Sequence, residues 1–287
     1  MKKTLNFWKI SSYVSAFLTV ALTAVPAFAT LGQPEPGGIG LQAGASPMKE
    51  KMAYFHDSLL LPIIVGITLF VFALLLIVIV RFNSKSNPVP SKTTHNTLLE
   101  VVWTLIPVLI LVVIVVPSMK MLYYVDKTTE AEMTLKAIGS QWYWSYEYPD
   151  NGGISFTSNL VQDKDLKPGQ PRLLATDNPV VLPIDTNIKI LTTATDVIHS
   201  WAIPAFGVKL DAVPGRLNET WVRIDKEGEF YGQCSQLCGQ GHAYMPIEIH
   251  AVSKQAFAEW VHKQGGKMPG DAAAAPVQSK NKKTGEK

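Results

Sequence analysis

The metal-binding side chains of this 287-residue chain are concentrated in one short segment near the C-terminus. Both cysteines, Cys234 and Cys238, are followed by His242 and Met245 within twelve consecutive residues, and His199 lies upstream. Thiolate, imidazole and thioether groups are soft or borderline ligands that select copper over magnesium, calcium or manganese. A mononuclear blue copper site uses one cysteine, so the second cysteine indicates a different centre, because two thiolates can bridge two coppers.

A disulfide bond is the competing interpretation of the two cysteines. In an exported domain, a pair of cysteines forms a disulfide more often than a metal site. The histidine and the methionine within the same segment, residues 234–245, favour copper. We refer to residues 234–245 as the copper loop.

The spacing of these residues resembles that of cytochrome c oxidase subunit II. The copper loop follows the pattern Cys-x3-Cys-x3-His-x2-Met, and a His-Ser-Trp sequence starts at residue 199. Three further segments carry the resemblance: Trp103-Thr-Leu-Ile-Pro107, Gln141-Trp-Tyr-Trp-Ser-Tyr-Glu147 and Leu210-Asp-Ala-Val-Pro-Gly-Arg216. The resemblance extends from about Phe55 to about Trp260.

The resemblance implies a dinuclear copper centre, CuA, with ligands from the copper loop and one upstream histidine. The implied ligands are His199, Cys234, Gln236 through its backbone carbonyl, Cys238, His242 and Met245. Sharing one electron over two bridged coppers keeps changes in bond length small, which suits electron transfer. The other histidines, His56, His95, His250 and His262, are interpreted as structural residues.

Position 236 departs from the family pattern. The family usually has a glutamate there, whose carboxylate binds magnesium at the contact with subunit I, whereas Gln236 offers only a neutral side-chain oxygen. Either subunit I and water molecules hold the ion more weakly, or the site is empty. Asp211 matches an acidic position that the family places near this ion, so Gln236 and Asp211 define a candidate magnesium neighbourhood.

The resemblance also assigns residues to partner contacts. Trp142 matches the residue through which cytochrome c delivers its electron, whereas Trp144 is expected to fill the core. Glu147, Asp177 and Asp196 match positions that attract lysines of cytochrome c. Residues 123–262 carry 17 Asp and Glu against 11 Lys and Arg, an excess that suits a basic partner or serves only solubility.

Two apolar segments predict a transmembrane hairpin, residues 55–122. Ser58 to Val80 contains 23 residues without a charge, about 34 Å as a helix, and 19 more uncharged residues separate Glu100 from Lys120. The intervening segment contains Arg81, Lys85 and Lys92 with no acid before Glu100, which places it in the cytoplasm. By resemblance, Glu100 lies at the entrance of a proton pathway into subunit I. The alternative is that it stabilises the helix start through the helix dipole.

The N-terminus resembles a secretory signal peptide, residues 1–29. Lys2, Lys3 and Lys9 accompany an apolar run that ends in Ala-Phe-Ala29, although an uncleaved membrane helix is the alternative. An extended segment, residues 30–54, is expected next. Export by this signal predicts a multi-pass protein of the bacterial inner membrane, with its C-terminal domain in the periplasm.

The exported domain, residues 123–262, is predicted to be all-β. Short runs of β-branched and aromatic residues alternate with turn signals, which is typical of a sandwich or small barrel. The predicted strands are Thr134 to Ile138, Gln141 to Tyr148, Val180 to Pro183, Asn187 to Thr192, Glu219 to Ile224 and Ile247 to Val252. The resemblance narrows the predicted fold of this domain to a cupredoxin-like Greek-key barrel. One helix is predicted from Lys254 to Lys263, followed by a disordered basic tail, residues 263–287.

Together these features predict the electron-entry subunit of a respiratory haem-copper oxidase. Cytochrome c would donate electrons to CuA, and haem in subunit I would reduce O2 to water, coupled to proton translocation. The sequence has no Cys-x-x-Cys-His motif for covalent haem, and we expect no nucleic-acid partner. The alternatives are a quinol oxidase subunit, a copper-storage or assembly protein, and nitrous oxide reductase.

Overall fold

The computed structural model describes residues 31–126 and 130–271. The predicted signal peptide and residues 272–287 of the predicted tail lie outside the described residues. The described chain consists of two long helices followed by a β-domain and a short C-terminal helix.

Within residues 31–126 and 130–271, two helices are long and apolar enough to cross a membrane. The first, Pro47–Arg81, has 35 residues and comprises helix α1 (Pro47–Phe55), a π-helical turn (His56–Leu60) and helix α2 (Leu61–Arg81). Helix α3 (Thr97–Asp126) has 30 residues. At 1.5 Å per residue these helices measure about 50 and about 45 Å, so both exceed the hydrocarbon thickness of about 30 Å.

The structure differs from the predicted boundaries at both ends of the hairpin. The segment predicted as extended, residues 30–54, is already helical from Pro47. The reason is local, because the Ser46 hydroxyl accepts a hydrogen bond from the Lys49 amide at 3.0 Å and proline suits the first helical position. Helix α3 continues through Pro107 and runs to Asp126, beyond the predicted end of the hairpin at residue 122.

The β-domain contains ten strands. They are β1 (Met133–Ser140), β2 (Tyr143–Tyr148), β3 (Ile154–Ser158), β4 (Val180–Pro183), β5 (Ile188–Ala194), β6 (His199–Ile203), β7 (Val208–Ala212), β8 (Asn218–Val222), β9 (Gly228–Gln233) and β10 (Pro246–Val252). They form a five-stranded sheet in the order β3-β2-β1-β5-β8, a three-stranded sheet in the order β4-β10-β9, and the pair β6-β7. Strand β1 is parallel to β5, and β4 is parallel to β10.

Alternating side chains from these sheets form the core of the domain. Strand β2 shows the pattern clearly, because Trp144, Tyr146 and Tyr148 are fully buried and the residues between them are half-buried. Helix α4 (Lys254–Lys263) covers one side with Phe257 and Val261. The membrane-plus-all-β architecture is thus confirmed, and the domain is consistent with the cupredoxin-like fold.

The hairpin is joined to the β-domain by specific contacts. The indole of Trp221 donates a hydrogen bond to the Tyr124 carbonyl at 3.3 Å, and the two rings meet edge-on with centroids 5.5 Å apart. At the start of α1, the Ser46 hydroxyl donates to the Phe206 carbonyl at 2.7 Å. The helices and the domain therefore share buried polar contacts in addition to the covalent link.

Strand pairing brings the distant parts of the copper site together. Strand β9 ends at Gln233 and β10 begins at Pro246, and these two residues are paired, so the copper loop is held at both ends. The loop also contacts β6, because the Ser235 amide donates to the Ser200 carbonyl at 2.9 Å. Consequently His199, the first residue of β6, lies beside the loop despite its distance in sequence.

Candidate metal centre

The two cysteines lie side by side with their thiols free. The Cys234 and Cys238 sulfur atoms are 3.9 Å apart, and both side chains are buried. A disulfide would hold the sulfurs at about 2.05 Å. The structure therefore places the cysteines as separate thiols that face one another.

Each cysteine has an imidazole beside it. His199 Nδ1 lies 3.9 Å from the Cys234 sulfur, and His242 Nδ1 lies 3.5 Å from the Cys238 sulfur. His199 is fully buried, whereas His242 is half-buried at the end of the loop. The four strongest donor groups thus form two thiol–imidazole pairs.

Two weaker donors complete the set. The Met245 sulfur lies 3.5 Å from the Cys238 sulfur, and the Gln236 carbonyl oxygen lies 3.3 Å from the Cys234 sulfur. Met245 is almost completely buried, and the Cys234 amide donates to its carbonyl at 3.2 Å. All six donors that the sequence predicted are therefore brought together by the fold.

The electrostatics of the site favour ionisation of one thiol. Burial opposes ionisation of Cys234, but its hydrogen bonds with His199, with the backbone of Gln236 and Ser200 and with His242 together outweigh burial and lower the pKa of the Cys234 thiol to about 6. Burial and the neighbouring Cys234 charge raise the pKa of the Cys238 thiol. Burial also acts to lower the pKa of His199, but its bonds to Cys234 and Asp196 outweigh this and raise it. Ionisation of one thiol therefore disfavours ionisation of the other, and a bound cation would offset this repulsion.

Asp196 orients the His199 ring, a role that the sequence did not predict. Its Oδ1 lies 2.9 Å from His199 Nε2, which leaves Nδ1 directed toward Cys234. The Asp196 carboxylate also accepts hydrogen bonds from the amides of Gln141, at 2.7 Å, and Val197, at 2.6 Å. The only sequence signal was its position three residues before His199, and it was assigned instead to partner docking.

Trp142 connects the copper loop to the surface. Its indole nitrogen donates to the Cys238 carbonyl at 3.3 Å, and the Gln141 side-chain amide donates to the same oxygen at 2.8 Å. The Trp142 side chain is 38% exposed, whereas Trp144 is fully buried, as expected. Gly241 packs against the Trp142 ring so closely that a Cβ there would lie 2.4 Å from the ring carbons.

The other two predicted docking acids have partners within the chain. Glu147 pairs with Lys136 at 2.9 Å across strands β1 and β2. Asp177 accepts from the Asn159 amide at 2.7 Å and from its side chain at 3.1 Å. Asp177 is exposed and Glu147 is half-buried, so their charges still contribute to the field at the surface.

The candidate magnesium residues lie in one neighbourhood at the surface. Gln236 and Asp211 are both exposed. Asp211 is paired with Ser200 across strands β6 and β7, and the Ser200 carbonyl binds the amide of Ser235, the neighbour of Gln236.

Glu100 takes part in capping helix α3. Its carboxylate accepts from the Asn96 amide at 3.3 Å, and the Asn96 side chain accepts from the Leu99 amide at 3.0 Å. These reciprocal bonds satisfy amides that the helix start would otherwise leave free. The helix-start interpretation of Glu100 therefore has a structural basis, which does not conflict with a role in proton uptake.

The fold and this donor set define a membrane-anchored, cupredoxin-like protein with a buried thiol–imidazole cluster that could hold a metal ion. Residues 133–252 match the family model described as the periplasmic domain of cytochrome c oxidase subunit II, and residues 34–121 match that of its transmembrane domain. The chain belongs to the cytochrome c oxidase subunit II family. It is accordingly an oxidase subunit, anchored in the membrane, with a C-terminal domain of the periplasmic type.

Curated relatives agree over most of their length. A protein of Rickettsia bellii named probable cytochrome c oxidase subunit 2 is 49% identical over 242 residues, which cover 84% of this chain and 90% of that protein. Cytochrome c oxidase subunit 2 of Cereibacter sphaeroides is 43% identical over 265 residues, or 86% of this chain and 87% of the relative. A similar solved structure is the crystal structure of the periplasmic domain of subunit II of cytochrome oxidase from Bradyrhizobium japonicum. Its sequence is 53% identical to this chain, and the alignment covers 48% of this chain and 97% of the crystallised domain, with a TM-score of 0.46.

Proposed function

We propose that this chain is the electron-entry subunit of a cytochrome c oxidase in the bacterial inner membrane. Its donor set would hold the dinuclear CuA centre, receive electrons from cytochrome c and pass them to haem in subunit I. Reduction of O2 to water, coupled to proton translocation, would occur in that partner. The observation that carries the proposal is the convergence of two free, buried thiols 3.9 Å apart, each beside its own imidazole.

The donor chemistry fits two coppers. Two thiolates can bridge two ions, and one imidazole is available to each ion. Met245 and the Gln236 carbonyl provide weak donors on the Cys238 and Cys234 sides, respectively. When bound, the dinuclear centre would supply one-electron transfer with little change in bond lengths.

The protein supplies rigidity and exclusion of water. Cys234, Cys238 and Met245 are each at most 5% exposed, and His199 is fully buried. Strand pairing closes the base of the copper loop, and Asp196 fixes the His199 ring. Because these groups are already held in place, little reorganisation accompanies a change in charge at the site.

Trp142 would be the entry point for the electron. Its exposed ring is linked to the Cys238 backbone by a hydrogen bond of 3.3 Å, which gives a short path from the surface to a ligand. The acidic surplus of the domain would steer a basic cytochrome c, with Asp177 and Glu147 contributing to the field. Asp196 would act mainly on His199, because its oxygens already bind groups near the site.

Two further roles belong to the interface with subunit I. Glu100 would stand at the entrance of a proton pathway at the cytoplasmic end of α3 while also capping that helix. Gln236 and Asp211 would lie near the position where relatives hold magnesium, and without a carboxylate at position 236 that ion would be bound weakly.

Burial of the ligands disfavours a copper-storage or assembly protein. Such a protein must exchange its metal, and exchange requires accessible ligands, whereas four of the donors are almost completely enclosed. A quinol oxidase subunit would not need this donor set at all. Electron entry is the role that requires the complete donor set and also benefits from burial of its side chains.

The test is copper stoichiometry and electron paramagnetic resonance on the full chain, purified in detergent and loaded with copper under mild reductant. We expect two coppers per chain with one electron spread over both nuclei. Cys238→Ser should abolish the shared-electron spectrum, whereas the matched control His262→Gln, which alters an exposed histidine paired with Asp271, should leave it unchanged. One localised copper, or none with the cysteines oxidised to a disulfide, would refute the proposal.

A further inference from the structure

A second group of metal-binding side chains lies on the outer face of strands β9 and β10. Glu229 and Tyr231 alternate on β9, and Glu248 and His250 alternate on β10. The antiparallel register places His250 directly opposite Glu229 and Glu248 opposite Tyr231. The four side chains therefore occupy one patch of a single sheet face.

The donor atoms of this patch are within reach of one ion. One oxygen or nitrogen from each of Glu229, Glu248 and His250 lies within 4.8 Å of the others. His250 Nε2 is 2.9 Å from Glu248 Oε1 and 3.9 Å from Glu229 Oε1. The Tyr231 hydroxyl donates to Glu229 Oε2 at 3.0 Å and so holds that carboxylate in place.

The patch combines a buried carboxylate with an open side. Glu248 is only 3% exposed, and its Oε2 accepts from the amide and the hydroxyl of Thr176, the latter at 3.1 Å. Its Oε1 faces His250 and the exposed Glu229. One fixed, buried side chain, one half-buried side chain and one exposed side chain thus face one another across the paired strands.

The charge of the patch favours a cation. Among the ion pairs of residues 31–126 and 130–271, His250 is the one basic partner of Glu229 and Glu248. The hydrogen bond to Glu248 raises the pKa of His250, although burial opposes the shift. Two carboxylates on one side of a single imidazole therefore leave a negative charge that one proton balances only in part.

We propose that Glu229, Glu248 and His250 form a zinc site, separate from the copper loop, that clasps β9 to β10. Imidazole and carboxylate are both zinc ligands, and three protein ligands leave the fourth position for water. Magnesium and calcium prefer all-oxygen sites, so the imidazole selects against them. In this arrangement zinc displaces the proton shared by His250 and Glu248.

The position of this site gives it a structural consequence. Strands β9 and β10 are the two stems of the copper loop, because β9 ends immediately before Cys234 and β10 begins immediately after Met245. An ion held by both stems would stabilise their pairing and slow the opening of the loop between them. The inference does not rest on the proposed function, since its ligands lie outside the copper donor set.

The experiment is zinc titration of the full chain in detergent with its copper site filled, using a chromophoric chelator as competitor. We expect one zinc per chain and a rise in melting temperature with zinc. Glu229→Gln and His250→Gln should each weaken zinc binding by more than about tenfold, because loss of a supporting residue alone costs about that much. Both positions are partly exposed, so both variants are expected to fold.

The matched control is His262→Gln. His262 also lies 2.9 Å from a carboxylate, that of Asp271, but it is not part of a three-ligand group among the described residues. This variant should bind zinc as the unmodified chain does. Absence of zinc binding, or equal binding by Glu229→Gln, His250→Gln and the unmodified chain, would overturn the proposal and leave the patch as an ion pair. Copper spectroscopy on the same samples keeps this outcome distinct from a failure of the copper proposal.

Discussion

Replacing Gly241 by alanine tests whether the copper loop positions Trp142. The backbone of Gly241, with φ −89° and ψ 14°, is accessible to alanine, so the substitution introduces no backbone strain. The added Cβ would, however, lie 2.4 Å from the ring carbons of Trp142. Non-bonded carbons require about 3.5 Å or more, so the ring or the loop must move by about 1 Å.

The size of the effect follows from this overlap. Forcing a methyl group into a packed contact costs about 1–3 kcal/mol. For a domain of this size, that corresponds to a fall in melting temperature of about 2–12 °C. Since Trp142 is 38% exposed, the ring can swing outward, which would break its 3.3 Å hydrogen bond to the Cys238 carbonyl. We therefore expect Gly241→Ala also to slow electron entry from cytochrome c.

The assay is a double-mutant cycle measured by thermal unfolding of the copper-loaded chain. Gly241→Ala should destabilise the protein when Trp142 is present and should cost less than about 0.5 kcal/mol in a Trp142→Ala background. Gly40→Ala is the matched control, because a Cβ at Gly40 meets nothing within 4 Å. An equal loss in both backgrounds would refute the reasoning, since the contact with the ring could not then be its cause.

Three further predictions concern single side chains. Asp196→Asn should weaken copper binding by about 10–100-fold in a chelator competition, because asparagine has one acceptor oxygen where Asp196 uses two, Oδ1 for His199 and Oδ2 for the Gln141 amide, and it lacks the negative charge. Asp177→Asn should have no effect, and unchanged affinity of Asp196→Asn would contradict the orienting role. Glu100→Gln should slow proton uptake of the assembled oxidase during reduction of its oxygen site, and unchanged kinetics would remove this residue from the path. Gln236→Glu should strengthen binding of Mn²⁺, used as a probe for magnesium. It should leave the copper spectrum intact, because the proposed copper contact uses the backbone carbonyl. Equal Mn²⁺ binding by the variant and the unmodified chain would contradict the proposed magnesium neighbourhood.

Alternation of apolar and polar residues marks some of the strands that the sequence predicted, and two of the four missed strands lack it. Strand β2 alternates aromatic and polar residues and was predicted, although it starts at Tyr143 rather than Gln141. The missed strands are Ile154–Ser158, His199–Ile203, Val208–Ala212 and Gly228–Gln233. Strand β9 contains two glycines, and β6 is buried on nearly every residue, so neither shows the period of two that marks a half-exposed strand.

The start of the first long helix was not predicted, and for a different reason. Glycine and proline dominate residues 31–47, and this composition concealed a helix start at Ser46 and Pro47. The capping serine and the proline at the first helical position are themselves start signals. The prediction of an extended segment therefore followed the glycine and proline content of residues 31–47 and overlooked the helix-start signal at Ser46 and Pro47.

The grouping of the proposed copper donors was predictable because their chemistry is rare, whereas the residues that support them were not predictable. Two cysteines, a histidine and a methionine in one loop form a donor set that suits copper, and the fold brings His199 to them as the resemblance implied. Asp196 and Gln141 carry common side chains whose roles depend on pairing across the fold, which no local pattern reveals.

The same limit applies to the patch on β9 and β10, and its cause is the strand register. Glu248 and His250 are separated by one residue, but Glu229 is distant in the chain and becomes their neighbour only because β9 and β10 pair with His250 opposite Glu229. A shift of one residue in this pairing would turn Glu229 to the opposite face of the sheet from His250 and disperse the group. Because both proposed metal sites depend on the pairing of these two strands, a register change would disrupt them together, whereas loss of the side chains of the patch alone would leave the proposed copper donors in place.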